Sequence, residues 1–132
     1  MTEKYTIKTH PNFDREMSKL TDKCTSLESD FERLKKVLLL DLDRGNHRLT
    51  QDTYIQIPRL GRDIHFPVFK IKKFRCKEIP KGNRSGFRFI FILSRKHHVV
   101  YFTECYFKRS NKVENRNRIR KVCLNPEEYF YD

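Results

Sequence analysis

From Phe13 onward the apolar positions fall at 13, 17, 20, 24, 27, 31, 34 and 38, a 4-3 alternation that lines them up on one stripe of a helix. One long coiled-coil helix would satisfy that spacing. Thr21, Asp22, Thr25 and Ser26 are weak helix formers in mid-pattern, however, and Thr25-Ser26-Leu27-Glu28 has the spacing of a capping box. The pattern therefore predicts two helices, about 12–21 and 25–43, paired as an antiparallel hairpin with Gly45 as the left-handed cap. Leu38, Leu39, Leu40 and Leu42 make the end of the second helix apolar on more than one side, which suits a buried core end better than a docking surface. Before the helices, Tyr5 and Ile7 alternate with Lys4, Thr6 and Lys8 as in a short strand, and Pro11 fits the first turn of the helix that follows.

The second half switches to period two. In Val68 to Lys77, Phe69 and Ile71 share one face and Lys70 and Lys72 the other, after which Phe74 and Cys76 fall out of phase. A bulge at Lys72-Lys73 returns Phe74 and Cys76 to the core and leaves Lys70, Lys72, Arg75 and Lys77 on an open, cationic face. Lys81-Gly82-Asn83-Arg84 supplies a hairpin turn. Gly86 to Leu93 follows, with Phe87, Phe89 and Phe91 inward and Arg88, Ile90 and Ile92 opposite. Apolar on both faces beyond Arg88, it reads as a central strand covered on both sides. Val99 to Phe107 is a third strand, and Val113 to Leu124 a helix that Pro126 ends. Residues 46–65 form a long polar connection with room for a short strand at Tyr54 to Ile57, and 125–132 an acidic, aromatic tail that folds back over the basic face or stays disordered.

These elements predict a single α+β domain spanning 1–132: a small antiparallel sheet of about four strands packed on an N-terminal helical hairpin, with a short C-terminal helix. Charge adds a direction. Residues 1–52 hold 10 Lys/Arg and 10 Asp/Glu, and residues 53–132 hold 19 and 7, so the whole formal excess of +12 lies in the second part. Such asymmetry points to a polyanion partner, nucleic acid first, with acidic protein or anionic lipid behind it. The start has no apolar leader and apolar runs such as Val37 to Leu40 are far short of a membrane span, so the expectation is a cytoplasmic protein. Cys24, Cys76, Cys105 and Cys123 lack paired metal-ligand spacing; the expectation is free buried thiols, no metal and no cofactor, with Cys76 and Cys105 as candidate strand neighbours.

Phe69-Lys70-Ile71-Lys72, then Gly86-Phe87-Arg88-Phe89-Ile90-Phe91, then Glu104-Cys105-Tyr106-Phe107-Lys108-Arg109 carry a likeness to a known group. In this order, after a strand and two helices and before a last helix, the chain resembles the RelE/ParE superfamily of toxins. The likeness covers most of the chain in topology and about forty residues in motif. It implies a metal-independent ribonuclease that cuts mRNA on the ribosome and is held inactive by an acidic antitoxin. Lys70 and Lys72 match the family's lysine pair, Arg88 its arginine after Gly-aromatic, and Lys108 or Arg109 the arginine closing the last strand. The family carries a tyrosine shortly after that arginine. Positions 111–118 hold none here, and Tyr129 or Tyr131 takes the place only if the tail folds back.

Cleavage of RNA without metal needs a base for the 2′-hydroxyl, cations for the phosphate and an acid for the leaving oxygen. The expected catalytic set is Lys70, Lys72, Arg88, Lys108 and Arg109, with Lys72 as base and Arg88 as a two-oxygen phosphate clamp. Arg75, Lys77, Lys112, Arg116 and Arg120 are the expected wider RNA contacts. Glu104 reads as a salt-bridge partner before a base, and His97 and His98 as exposed turn residues. Two other classes stay open: a non-catalytic toxin of the same fold that inhibits another enzyme, and a plain RNA-binding module.

Overall fold

Strands that are apolar on both sides need a cover on both sides, and the chain supplies two. The computed structural model describes residues 4–43, 49, 52–80, 82, 85–108 and 113–131. Among these, β1 (Thr6–Thr9) leads into α1 (Pro11–Leu20) and α2 (Leu27–Asp43). Then come β2 (Tyr54–Gln56), β3 (Val68–Ile71), β4 (Phe87–Ser94), β5 (Val99–Phe107), α3 (Arg116–Cys123) and α4 (Pro126–Tyr129).

The α+β class holds, but the sheet has five strands rather than four and is mixed rather than antiparallel, in the order β1-β5-β4-β3-β2. The segment at Tyr54 does become a strand and adds to β3. β1 runs parallel to β5, with Thr6 opposite Val99, because two helices and the other strands intervene and let the chain return in the same direction. Pro11 opens α1, and the Asn12 amide donates to His10 Nδ1 at 3.0 Å as the cap. The break between the helices falls where the weak formers are, although Thr25 gives its amide and hydroxyl to Glu78 instead of closing a capping box. The Gly45 cap and most of the 81–84 turn lie outside the described residues.

One face of the sheet packs on α1 and α2. Phe89 lies at the middle of it, its ring stacked on Phe31 at 5.2 Å and 4.6 Å from Phe74. Phe13, Phe87, Phe91 and Phe102 complete an aromatic core. Phe74 and Cys76 are buried in the same core, as the out-of-phase spacing predicts; the device is an end to β3 at Ile71, after which the chain runs irregularly through 72 and 73. Leu38 and Leu42 are core, while Val37 and Leu40 of the same helix are about half exposed.

The opposite face is less open than a cationic platform requires. Ile119, Val122 and Cys123 of α3, with Phe130 of the tail, cover Ile90, Ile92, Val99 and Tyr101. The tail thus folds back, and His97, expected at an exposed turn, is half-buried: it pairs with Ser94 Oγ at 2.6 Å and touches the rings of Phe66, Phe130 and Tyr131. In place of the anticipated Cys76–Cys105 proximity, Cys76 is joined to Cys24, and Cys105 and Cys123 are buried free thiols.

Replacing Phe89 by Ala should destabilise the fold by about 3–5 kcal/mol, through lost transfer energy and the cavity left among the rings of Phe13, Phe31 and Phe74. Val37→Ala on the exposed flank should stay within about 0.5 kcal/mol. Urea unfolding followed by circular dichroism checks both; equal losses would mean that the aromatic core is not where the stability lies.

Candidate functional site

Three neighbouring strands put their polar side chains on the α3 face at one end of the sheet, beyond the apolar patch that α3 covers. Lys70 of β3 is opposite Ile90 of β4, which is opposite Glu104 of β5. One step nearer the edge, Arg88 is opposite Tyr106. Lys72 and Lys108 follow directly: the Lys72 carbonyl accepts from Arg88 Nη1 at 3.2 Å, and the Lys108 amide donates to the Gly86 carbonyl at 2.9 Å. Four of the five expected catalytic positions therefore share this end of the sheet. Arg109, like Lys112, lies outside the described residues.

A bulge makes the arrangement. Ile90 pairs with Glu104 and Phe91 with Phe102, so Thr103 is an extra residue in β5. That insertion reverses the alternation. Without it, Glu104 and Tyr106 would point to the α1–α2 core and Cys105 would point away from it. The bulge is fixed from both covers: Arg118 of α3 donates to the Thr103 carbonyl at 2.9 Å and to Glu16 of α1 at 3.0 and 3.1 Å, while Glu16 Oε1 accepts the Cys105 amide at 3.1 Å. Neither Glu16 nor Arg118 stands out in the sequence, because each looks like the charged flank of a helix.

Gly86 precedes Arg88 with φ +97°, and a Cβ there would come within 2.9 Å of the Phe107 ring. Only glycine lets β4 start so close to β5. This is the physical content of the Gly-aromatic-Arg pattern: the glycine sets the strand pair, and the strand pair sets Arg88. Arg88 itself is half-buried, its guanidinium also within 3.2 Å of the Phe87 carbonyl. Lys72 and Lys108 are exposed beside it.

Lys70 is not a free cation. Its Nζ is 2.6 Å from Glu114 Oε1, with both side chains largely buried. Burial alone would raise the Glu114 carboxyl, but the hydrogen bond and charge of Lys70 hold it below its ordinary value. Tyr106 stands against the same lysine and is pushed up, by burial first, so its hydroxyl keeps its proton at neutral pH. Tyr106 is the tyrosine of this site, and Tyr129 and Tyr131 are not. Tyr129 stacks on His10 and sits edge-on to Tyr101, which is opposite Ile92, four residues along β4 from Arg88 and so about 13 Å away. The parity of Glu104, Tyr106 and Lys108 was the available signal.

Glu104 does not form the expected salt bridge among the described residues. It is 3% exposed, accepts the Asn115 amide at 2.7 Å, and so holds the first turn of α3 against β5. Desolvation raises its pKa, opposed by that hydrogen bond and by Arg118.

The remaining expected RNA contacts do not gather here. Arg116 donates to the Pro58 and Arg59 carbonyls at 3.1 Å, and Arg120 pairs with Asp63 at 3.0 and 2.9 Å, so both guanidinium groups fasten the 58–63 loop to α3. Arg75 borders a shallow cavity of about 160 Å³ with Arg33, Val37, Thr53 and Lys73, on the α2 side. Lys77 is exposed, with its amide held by Asp30.

Because the folded pKa of Glu104 stands above its ordinary 4.5, the native state holds that proton more tightly than the unfolded chain. Its favourable contribution is complete below the unfolded value and is lost as pH rises through the folded one. Glu104→Gln keeps the acceptor for Asn115 without the charge, so the variant should gain stability over the parent progressively as pH rises above the ordinary carboxylate value. A gap that stays flat with pH in urea titrations would show that Glu104 is not held against its charge.

Comparison of the chain with protein-family models, with curated proteins and with solved structures finds no match in any of the three.

Proposed function

We propose that this chain is a toxin that binds RNA at the Arg88 end of the sheet and cleaves it there by attack of the ribose 2′-hydroxyl, without a metal. The observation that carries the reading is the meeting of Arg88, Lys72 and Lys108 at one end of the sheet, beside the buried Tyr106 hydroxyl and the Lys70–Glu114 ion pair. Arg88 is held by two carbonyls at 3.2 Å and projects from a central strand, a rigid mount for a planar group that can take two phosphate oxygens. Lys72 and Lys108 add exposed charge to either side.

In the proposed step, Lys72 as its neutral amine takes the 2′-hydroxyl proton and becomes an ammonium while the P–O2′ bond forms. The P–O5′ bond breaks, and the leaving oxygen takes a proton passed outward from Tyr106 through Lys70. Charge on the phosphate is met by Arg88. The element order of the structure, strand, two helices, antiparallel meander and helix, is the order on which the likeness to the RelE/ParE toxins rests, with β2 and α4 added. Messenger RNA on the ribosome is the substrate that the likeness suggests, and an acidic antitoxin covering the same cations is the matching partner. No described helix is long and apolar enough to cross a membrane.

One observation favours a second reading. The Lys70–Glu114 ion pair neutralises a lysine that the likeness makes catalytic, as suits a non-catalytic toxin that inhibits another enzyme.

Purified chain should cleave mRNA in a translating extract. Arg88→Ala should lower the cleavage rate by about 10²–10³-fold and Tyr106→Phe by at least about tenfold, with unchanged circular dichroism. RNA bound but left whole by the parent chain would replace cleavage by binding, and growth arrest with intact RNA would select the inhibitor. Cleavage indifferent to Arg88→Ala would place the active groups elsewhere.

A further inference from the structure

On the α2 side of the sheet, the face opposite Arg88, a second polar cluster lies inside the core. The sulfurs of Cys24 and Cys76 and a carboxylate oxygen of Asp30 lie within 4.8 Å of one another, and all three residues are buried. Asp30 is the odd member. Its side chain is 0% exposed. Oδ2 accepts from Ser26 Oγ at 2.7 Å and from the Lys77 amide at 3.0 Å, but Oδ1 accepts no hydrogen bond, although Arg33 lies 3.3 Å away. A carboxylate oxygen so deeply buried is ordinarily hydrogen-bonded, and here Arg33 meets its charge without a hydrogen bond, which leaves room for a ligand.

We propose that, once the Cys24–Cys76 bond is reduced, Cys24, Cys76 and Asp30 form a binding site for one thiophilic divalent cation such as zinc, so that cation and disulfide are alternative ties for the same pair of segments.

The donor set fits. Two thiolates and a carboxylate are ligands of a zinc-type ion. Ser26 Oγ, at 3.3 Å from Cys24 Sγ and 3.5 Å from Cys76 Sγ, is near enough for a fourth oxygen, its own or that of a water it holds. Ser26 is only half-buried and so gives the cation a way in. Charge also closes: two thiolates and a carboxylate bring −3, the cation +2, and Arg33 beside Asp30 the remaining +1. The Cα atoms of Cys24 and Cys76 are 7.4 Å apart, wide for a disulfide, whereas two sulfurs bound at about 2.3 Å to one tetrahedral ion stand apart by about 3.8 Å and suit the wider span.

Opening the disulfide takes two electrons and two protons from a dithiol reductant, which is itself oxidised to a disulfide. Each thiol then gives up its proton as the cation binds. Either tie joins the turn before α2 to the segment after β3, residues 52 apart in the chain.

The test uses the full chain, reduced with dithiothreitol, freed of metal by a chelator, desalted without air and titrated with Co²⁺. One equivalent should bind with a thiolate-to-cobalt charge-transfer band and the visible absorption of a tetrahedral ion, and one equivalent of Zn²⁺ should erase both. Cys76→Ser and Asp30→Asn should each weaken binding by at least about tenfold, and Cys105→Ser should leave it unchanged. Asp30→Asn keeps the shape of the side chain, so the test does not depend on the cysteine variant folding. A reduced, folded chain with no charge-transfer band, or equal binding in Asp30→Asn and in the parent, overturns the proposal. So does a Cys24–Cys76 bond that millimolar dithiothreitol leaves closed, read as intact mass after alkylation.

Discussion

The pairing of β4 with β5 is the constraint from which the rest follows. Both strands carry large apolar side chains on both faces, and two such strands are stable in water only with a cover on each side. The N-terminal helices supply one cover and the C-terminal helices the other. What is left for chemistry is therefore an end of the sheet rather than a face. Arg88 and Tyr106 mark the place where α3 stops and the strands continue.

The helices are joined to that end by a small number of buried polar links. Glu104 holds the start of α3, Lys70 holds Glu114 just before it, and Arg118 spans from α3 to Glu16 across the Thr103 bulge. These links are expensive to break one at a time, because each leaves a charge or an amide without its partner in a dry place. They fix the register of α3 on the sheet more sharply than its few apolar residues can. The cations of α3 that look in sequence like an RNA-facing row are largely consumed in this fastening.

The strands and helices were legible because their signals are local. Alternating phenylalanines specify β4, a 4-3 stripe specifies α1 and α2, Pro11 marks the start of α1 and Pro126 follows the end of α3. What was not legible depends on pairs distant in the chain. The parallel β1–β5 pairing and the cover from α3 are contacts that no window of residues contains. The Thr103 bulge is the sharpest case. An extra residue in a strand of continuous apolar character leaves the pattern unchanged, since both faces are apolar, yet it decides that Tyr106 joins Arg88. The partner of Lys70 was hidden for the same reason: Glu114 is 44 positions away and looks like an ordinary helix-start carboxylate.

The placement of β1 also bears on how the molecule is made. Its partner, β5, begins 93 residues later, and among the described residues β1 has no other neighbour in the sheet. During synthesis β1 therefore waits, with α1 and α2 already outside the ribosome, until β5 has emerged. A nascent chain halted before β5 would expose the aromatic side of α1 and α2 with no sheet beneath it, a species suited to capture by a chaperone or to degradation.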